Sequence, residues 1–208
     1  MPSILNFPIA LSFVVIGSFL TACSSEIDPN SKLRTWTPSE SELQRASSIY
    51  EIDISGQDVE AVSEKIAILN SLEYIYMDNN SLKKLPKSMK KLKSLNELSI
   101  AGNKLQNDIP DVIGELTQLT KLDLSENELQ ELPSEILQLK NLEVLDLRYN
   151  QLSDLPEPLK KLENLKTVYI GNNDFDKETR KKFRKWMPRV SFVWLGKKKP
   201  ALTASENG

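Results

Sequence analysis

Apolar positions in this chain recur at an almost fixed interval. Segments starting at Ile49, Leu72, Leu95, Leu119, Leu142 and Leu165 each follow L-x-x-L-x-L-x-x-N-x-L, with spacings of 23, 23, 24, 23 and 23 residues. The later part of each runs L-P-x-x-I-x-x-L-x-N, as in Leu132-Pro133-Ser134-Glu135-Ile136 followed by Leu139 and Asn141. The extra residue falls in the turn Leu105-Gln106-Asn107-Asp108-Ile109-Pro110. A period of this length predicts a stacked solenoid, in which each unit buries its apolar side only against its neighbours.

Within a unit the leading leucines alternate. In Leu142 to Arg148, Leu145 and Leu147 point one way while Val144, Asp146 and Arg148 point the other, which is strand periodicity. Successive units should therefore set short parallel strands side by side, roughly 4.8 Å apart, with their leucines in one continuous core. The row Gln57, Asn80, Asn103, Asn127, Asn150, Asn173 falls where each strand ends. An amide there can satisfy the free backbone groups of adjoining turns, and only Gln57 departs from asparagine.

The outward positions make three rows. The first is Glu51, Tyr74, Glu97, Lys121, Val144, Thr167 and the second is Asp53, Tyr76, Ser99, Asp123, Asp146, Tyr169. The third is Ser55, Asp78, Ala101, Ser125, Arg148, Gly171. These units resemble the leucine-rich repeat family in its bacterial L-P-x-x-I variety, over roughly residues 49–195. The resemblance implies an α/β fold: a short, curved, right-handed superhelix with a parallel concave sheet and short helical or extended turns on the convex side. Ile49 to Ser71 matches weakly, because Val62-Ser63 stands where other units have Leu-Pro. L-D-L-S-x-N is the family's commonest filling, so Asp123, Ser125 and Asp146 can be plain wet-face residues.

Tyrosine and arginine are enriched at interface hot spots. Tyr74, Tyr76, Tyr169, Arg148 and the adjacent Tyr149 are therefore the candidate partner contacts, with Lys121, Asp123 and Asp146 setting polarity between them. Tyrosine is also a good strand former, and a purely structural face remains open. Asp123 and Asp146 should lie roughly 5 Å apart on neighbouring strands, near the carboxylate separation of a retaining glycosidase. Nothing beside them is expected to raise the pKa of a catalytic acid, and an enzyme is not expected.

The repeats need covers at both ends, since a bare end would leave leucines in water. Thr37-Pro38-Ser39-Glu40 has the form of a helix start, with Thr37 as cap and Glu40 closing a capping box. A cap helix over 37–48 should turn Leu43 and Ala46 inward. After the repeats (49–175), Asp176 to Met187 predicts a helix with Phe183, Trp186 and Met187 on one face. Pro188 stops it, and Val190, Phe192 and Trp194 alternate as a last strand, closing a cap over 176–195. This ending is similar to the terminators of many bacterial leucine-rich repeat proteins. Residues 196–208 read as a disordered tail.

The first 22 residues have a different character. Ile4 to Leu20 carries no charge and ends in Leu20-Thr21-Ala22-Cys23, ahead of a polar run. This resembles the bacterial lipoprotein signal, and it implies cleavage before Cys23, a diacylglyceryl thioether on its thiol and an acyl group on its freed amine. Lys and Arg are absent ahead of the apolar run, unlike the usual signal peptide, so an uncleaved membrane anchor is the alternative. Ser24 after the cysteine resembles lipoproteins sent to the outer membrane. Residues 23–36 read as a flexible tether.

Composition narrows the chemistry. The 208 residues include 27 basic and 29 acidic side chains, no histidine and one cysteine. Histidine-based relays and histidine-ligated metal sites are excluded, as is an intrachain disulfide. A net charge of -2 gives no footprint for nucleic acid. No metal or cofactor is expected beyond the lipid on Cys23. Residues 176–199 hold ten Lys or Arg against Asp176 and Glu178, either a solvated cap face or a surface for anionic lipid or polysaccharide. Thirteen residues follow Leu195 and the cysteine precedes the repeats, so the ubiquitin-ligase domain of some secreted leucine-rich repeat effectors is not expected. The expectation is a monomeric, non-catalytic binder of a protein in the cell envelope or on a neighbouring surface. A spacer role is the rival.

Overall fold

Leucine spacing builds the sheet directly. The computed structural model describes residues 33–105 and 111–194. Seven strands form one parallel sheet: β2 (Glu51–Asp53), β4 (Tyr74–Tyr76), β5 (Glu97–Ser99), β6 (Lys121–Asp123), β7 (Val144–Asp146), β8 (Thr167–Tyr169) and β9 (Ser191–Val193). Pairing runs without a slip, with Ile52, Ile75, Leu98, Leu122, Leu145, Val168 and Phe192 in register on the core side. A one-residue shift would turn this whole row to solvent, so the leucine pattern itself fixes the register.

Behind the sheet each chain segment returns through a 3-10 turn: Glu64–Ile68, Lys87–Lys91, Asp111–Glu115, Ser134–Gln138 and Glu157–Lys161. Pro86, Pro133 and Pro156 cap three of them at φ near their ring-locked value. In the first unit Ser63 takes that place, and its side chain accepts from the Lys65 amide. One apolar residue of each turn (Ile66, Met89, Ile113, Ile136 and Leu159) is buried in the core with the strand leucines.

Backbone at the strand ends bends the same way in every unit. Gly56, Asn79, Gly102, Glu126, Tyr149 and Asn172 all have φ between 54° and 70°. The asparagine after each bend, from Asn80 to Asn173, then stitches the turns together. Asn103 Nδ2 donates to Met77 O of the preceding unit at 2.9 Å and to Ile100 O at 3.0 Å, and its Oδ1 accepts from Leu82 N at 3.0 Å. Asn80, Asn127, Asn150 and Asn173 repeat the arrangement. Gln57 is exposed.

The amino-terminal end differs from the sequence expectation. Trp36 belongs to no tether: β1 (Thr35–Trp36) pairs with β3 (Ala61–Val62), and the indole is wholly buried. Trp36 O accepts from Ser63 N at 2.8 Å. The helix cap is Ser39, not Thr37, with a capping box to Glu42. Helix α1 (Glu40–Gln44) is short and is followed by a 3-10 turn, Ala46–Ser48, so 37–48 is not one helix. The box that forms is reciprocal: the Ser39 hydroxyl accepts from the Glu42 amide at 3.3 Å, and the Glu42 carboxylate accepts from the Ser39 amide at 2.6 Å.

At the other end α2 (Lys177–Trp186) starts from Asp176, whose side chain accepts from the Thr179 amide. Phe183 is wholly buried and lies edge-on to Phe175 at 5.2 Å and stacked with Phe192 at 5.7 Å. These aromatics close the core. Cys23, the segment 1–22, the greater part of the 23–36 tether, the turn 106–110 and the tail 196–208 lie outside the described residues.

Candidate partner-binding face

Every outward residue predicted for the sheet stands in the predicted row. Tyr74 pairs in register between Glu51 and Glu97, Tyr76 lies between Asp53 and Ser99, and Asp123 and Asp146 are neighbours. Tyr74, Tyr76 and Tyr169 are half-buried. One ring edge in water and one on protein is the usual setting of an interface tyrosine.

Arg148 does not extend into solvent. Its guanidinium clasps Asp146, with Nε 2.9 Å from each carboxylate oxygen and an NH2 contact to Oδ2, and it lies 5.2 Å over the Tyr169 ring. Asp146 Oδ1 also accepts the Arg148 amide at 3.0 Å. Burial opposes the charge on Arg148, but the Asp146 hydrogen bond and charge outweigh it and hold the guanidinium protonated. Charged hydrogen bonds of this forked kind are the strong ones.

Asp123 corrects an expectation. Burial, and then repulsion from Asp146, push its carboxyl up to about 6. Bonds from the Ser125 amide at 2.9 Å and hydroxyl at 2.6 Å pull the other way. So a raised-pKa acid does stand beside Asp146. Even so, both Asp146 oxygens are engaged by Arg148, and the accessible nucleophilic carboxylate of a glycosidase is missing from the pair. Lys121 is held by Glu97 at 3.1 Å. Tyr76 has its hydroxyl pKa raised by burial and then by Glu97 and Glu51. Tyr149 is half-buried and sits at φ 56°.

The basic cap is partly spent on the fold. Arg180 lies over Trp194 at 4.9 Å and bonds Phe175 O at 3.2 Å. Lys182 pairs with Asp154 at 2.5 Å and covers Trp186 at 4.2 Å, while Lys181 pairs with Glu178 at 2.7 Å. Among the described residues no group of His, Cys, Asp or Glu could hold a metal ion, and no helix is long and apolar enough to cross a membrane.

Register, asparagine ladder and return turns together define a leucine-rich repeat solenoid. The leucine rich repeat family matches residues 47–105 and 117–175, more than half of the chain, and the protein belongs to that family. It is similar to internalin C2 of Listeria monocytogenes, with a TM-score of 0.62 and 26% identity over 73% of this chain and 64% of that one. It is also 32% identical over 136 residues to "Probable inactive serine/threonine-protein kinase roco10" of Dictyostelium discoideum. That match covers 64% of this chain and spans 5% of the length of the kinase-like relative.

Proposed function

We propose that this protein is a non-catalytic, membrane-held binding module that recognises a protein partner through the outward, concave sheet face. The observation that carries the reading is the placement of Tyr74, Tyr76 and Tyr169 in register on that face, half-buried on rigid strands. Side chains positioned in advance by a stacked backbone lose little freedom on binding. Leucine-rich repeats generally bind proteins, and the family match supports the same role here. Attachment is through lipid on Cys23, with the outer membrane as destination, supported by Leu20-Thr21-Ala22-Cys23-Ser24.

Crosslinking in intact cells, read by mass spectrometry, tests this. One dominant partner is expected, and Tyr76→Ala with Tyr169→Ala should weaken its binding by roughly 2 kcal/mol or more. Diffuse, low-yield crosslinks unchanged by these substitutions would favour a spacer role instead. In the same cells Cys23→Ala should block processing to the shorter lipidated chain, and a variant that stays membrane-bound with its length unchanged from the parent would refute the lipid anchor. Lys181, Lys182 and Lys185 replaced by Gln serve as the off-face comparison. Loss of the partner in that variant alone would move the site to the basic cap.

A further inference from the structure

The carboxylate, tyrosine and guanidinium at Asp146, Tyr169 and Arg148 have an incomplete counterpart at the other end of the sheet. Asp146 is in register with Tyr169, and Asp53 is in register with Tyr76. The two aspartates share a backbone turn: Asp146 Oδ1 accepts the amide two residues on at 3.0 Å, and Asp53 Oδ1 does so at 2.9 Å. In both units the next residue has positive φ, Tyr149 at 56° and Gly56 at 70°. Asp53 is exposed where Asp146 is buried, and the third member differs. Where Arg148 reaches back across Tyr169, the first unit has Ser55, whose hydroxyl turns to the Asp78 amide at 3.1 Å.

Charge around the second pair is complementary to a cation. Glu51 and Asp53 are exposed, Glu97 flanks Tyr74 from the other side, and Lys121 is already committed to Glu97. Burial first, and then the negative charge of Glu97 and Glu51, holds the Tyr76 hydroxyl protonated. Ring faces attract cations, and a nearby carboxylate adds a directional, charged hydrogen bond.

We infer that Asp53 and Tyr76 form a specificity site that receives an arginine side chain of the partner protein, in the manner in which Asp146 and Tyr169 hold Arg148. The inference rests on the reading of this face as the partner surface, and it names the chemistry of one contact. Arginine is favoured over lysine because the planar guanidinium both stacks on a ring and forks onto a carboxylate.

The test uses a fluorescein-labelled Gly-Arg-Gly-Arg-Gly amide and its citrulline twin, titrated by fluorescence polarisation at low salt. The arginine peptide should bind at least about tenfold more tightly than the citrulline one. Ser55→Arg, which supplies the missing internal guanidinium, should reduce that binding by about tenfold or more, as should Asp53→Asn. Gln151→Arg and Glu131→Gln, which make the same charge changes elsewhere, should leave it unaltered. Equal losses in the two pairs, or wild-type binding by Ser55→Arg and Asp53→Asn, would overturn the site. If the crosslinked partner is lost on Tyr76→Ala with Tyr169→Ala but kept in Ser55→Arg, the face stands and the arginine site falls. If neither change affects the partner, the face assignment falls, and the peptide titration still decides the arginine site.

Discussion

Replacing Asn127 by alanine removes a wholly buried amide from the middle of the ladder. Its Nδ2 donates to Ile100 O at 2.9 Å, Ser125 O at 3.0 Å and Leu124 O at 3.2 Å. None of these carbonyls is stranded by the change. Ile100 O keeps Asn103 Nδ2, Leu124 O keeps Asn150 Nδ2 and Ser125 O keeps the Gly102 amide. At the carbonyls the loss is therefore only that of net hydrogen bonds, about 1 kcal/mol each, but the buried Leu105 amide, which bonds Asn127 Oδ1, is left without a partner at about 1–3 kcal/mol. Nδ2 has two hydrogens to share among its three acceptors, so with the stranded Leu105 amide Asn127→Ala should cost roughly 3 kcal/mol or more. Urea unfolding of the purified protein measures this through tryptophan fluorescence. Trp36 reports the amino-terminal end and Trp186 and Trp194 the carboxy-terminal end, so a Trp36→Phe background separates the two. Both reporters should lose stability together. A loss below about 1 kcal/mol would show that the amides are replaceable by water and that the ladder does not hold the turns.

Two further changes probe the sheet face. Asp123 has a folded-state pKa of about 6, above the roughly 3.9 of an unfolded aspartate, so the folded state binds more protons between these values and stability falls as pH rises through them. Asp123→Asn should thus be more stable than the parent protein at pH 7.5, with the advantage gone at pH 4; an unchanged difference in urea midpoint at the two pH values would count against the burial argument. Tyr149 occupies the left-handed region at φ 56°, where a bulky side chain is strained. Tyr149→Asn should raise stability by up to about 1 kcal/mol and Tyr149→Val should lower it, and thermal unfolding giving the reverse order would mean that contacts of the ring outweigh the strain.

Periodic features of the chain were legible because they are local: the leucine alternation specifies register, and the asparagine row specifies which side chains meet the turns. The family resemblance drawn from them holds. Part of what escaped prediction depends on partners distant in sequence. Trp36 lies in a polar stretch with no alternation, and its two-residue strand exists only because Ala61–Val62 offers an edge. The helix start was ambiguous in principle, since Thr37 and Glu40 fit the capping pattern as well as Ser39 and Glu42 do. For the face, the rows were readable but their electrostatics were not. The Arg148 clasp on Asp146 depends on a rotamer, and the Asp123 shift depends on how deeply the carboxylate lies. Neither leaves a mark in the order of residues.

The fixed order of strands also makes the face a ruler. Tyr76 on β4 and Tyr169 on β8 are four inter-strand steps apart, roughly 19 Å at about 4.8 Å per step. An extended peptide laid across the strands needs about six residues to bridge that span, and a helix needs about thirteen. A shorter ligand can engage only one end. A partner long enough for both makes its second contact as an intramolecular event, at an effective concentration set by its own stiffness. Repeat number thus sets a minimum size for what this surface can hold firmly, independently of which side chains line it.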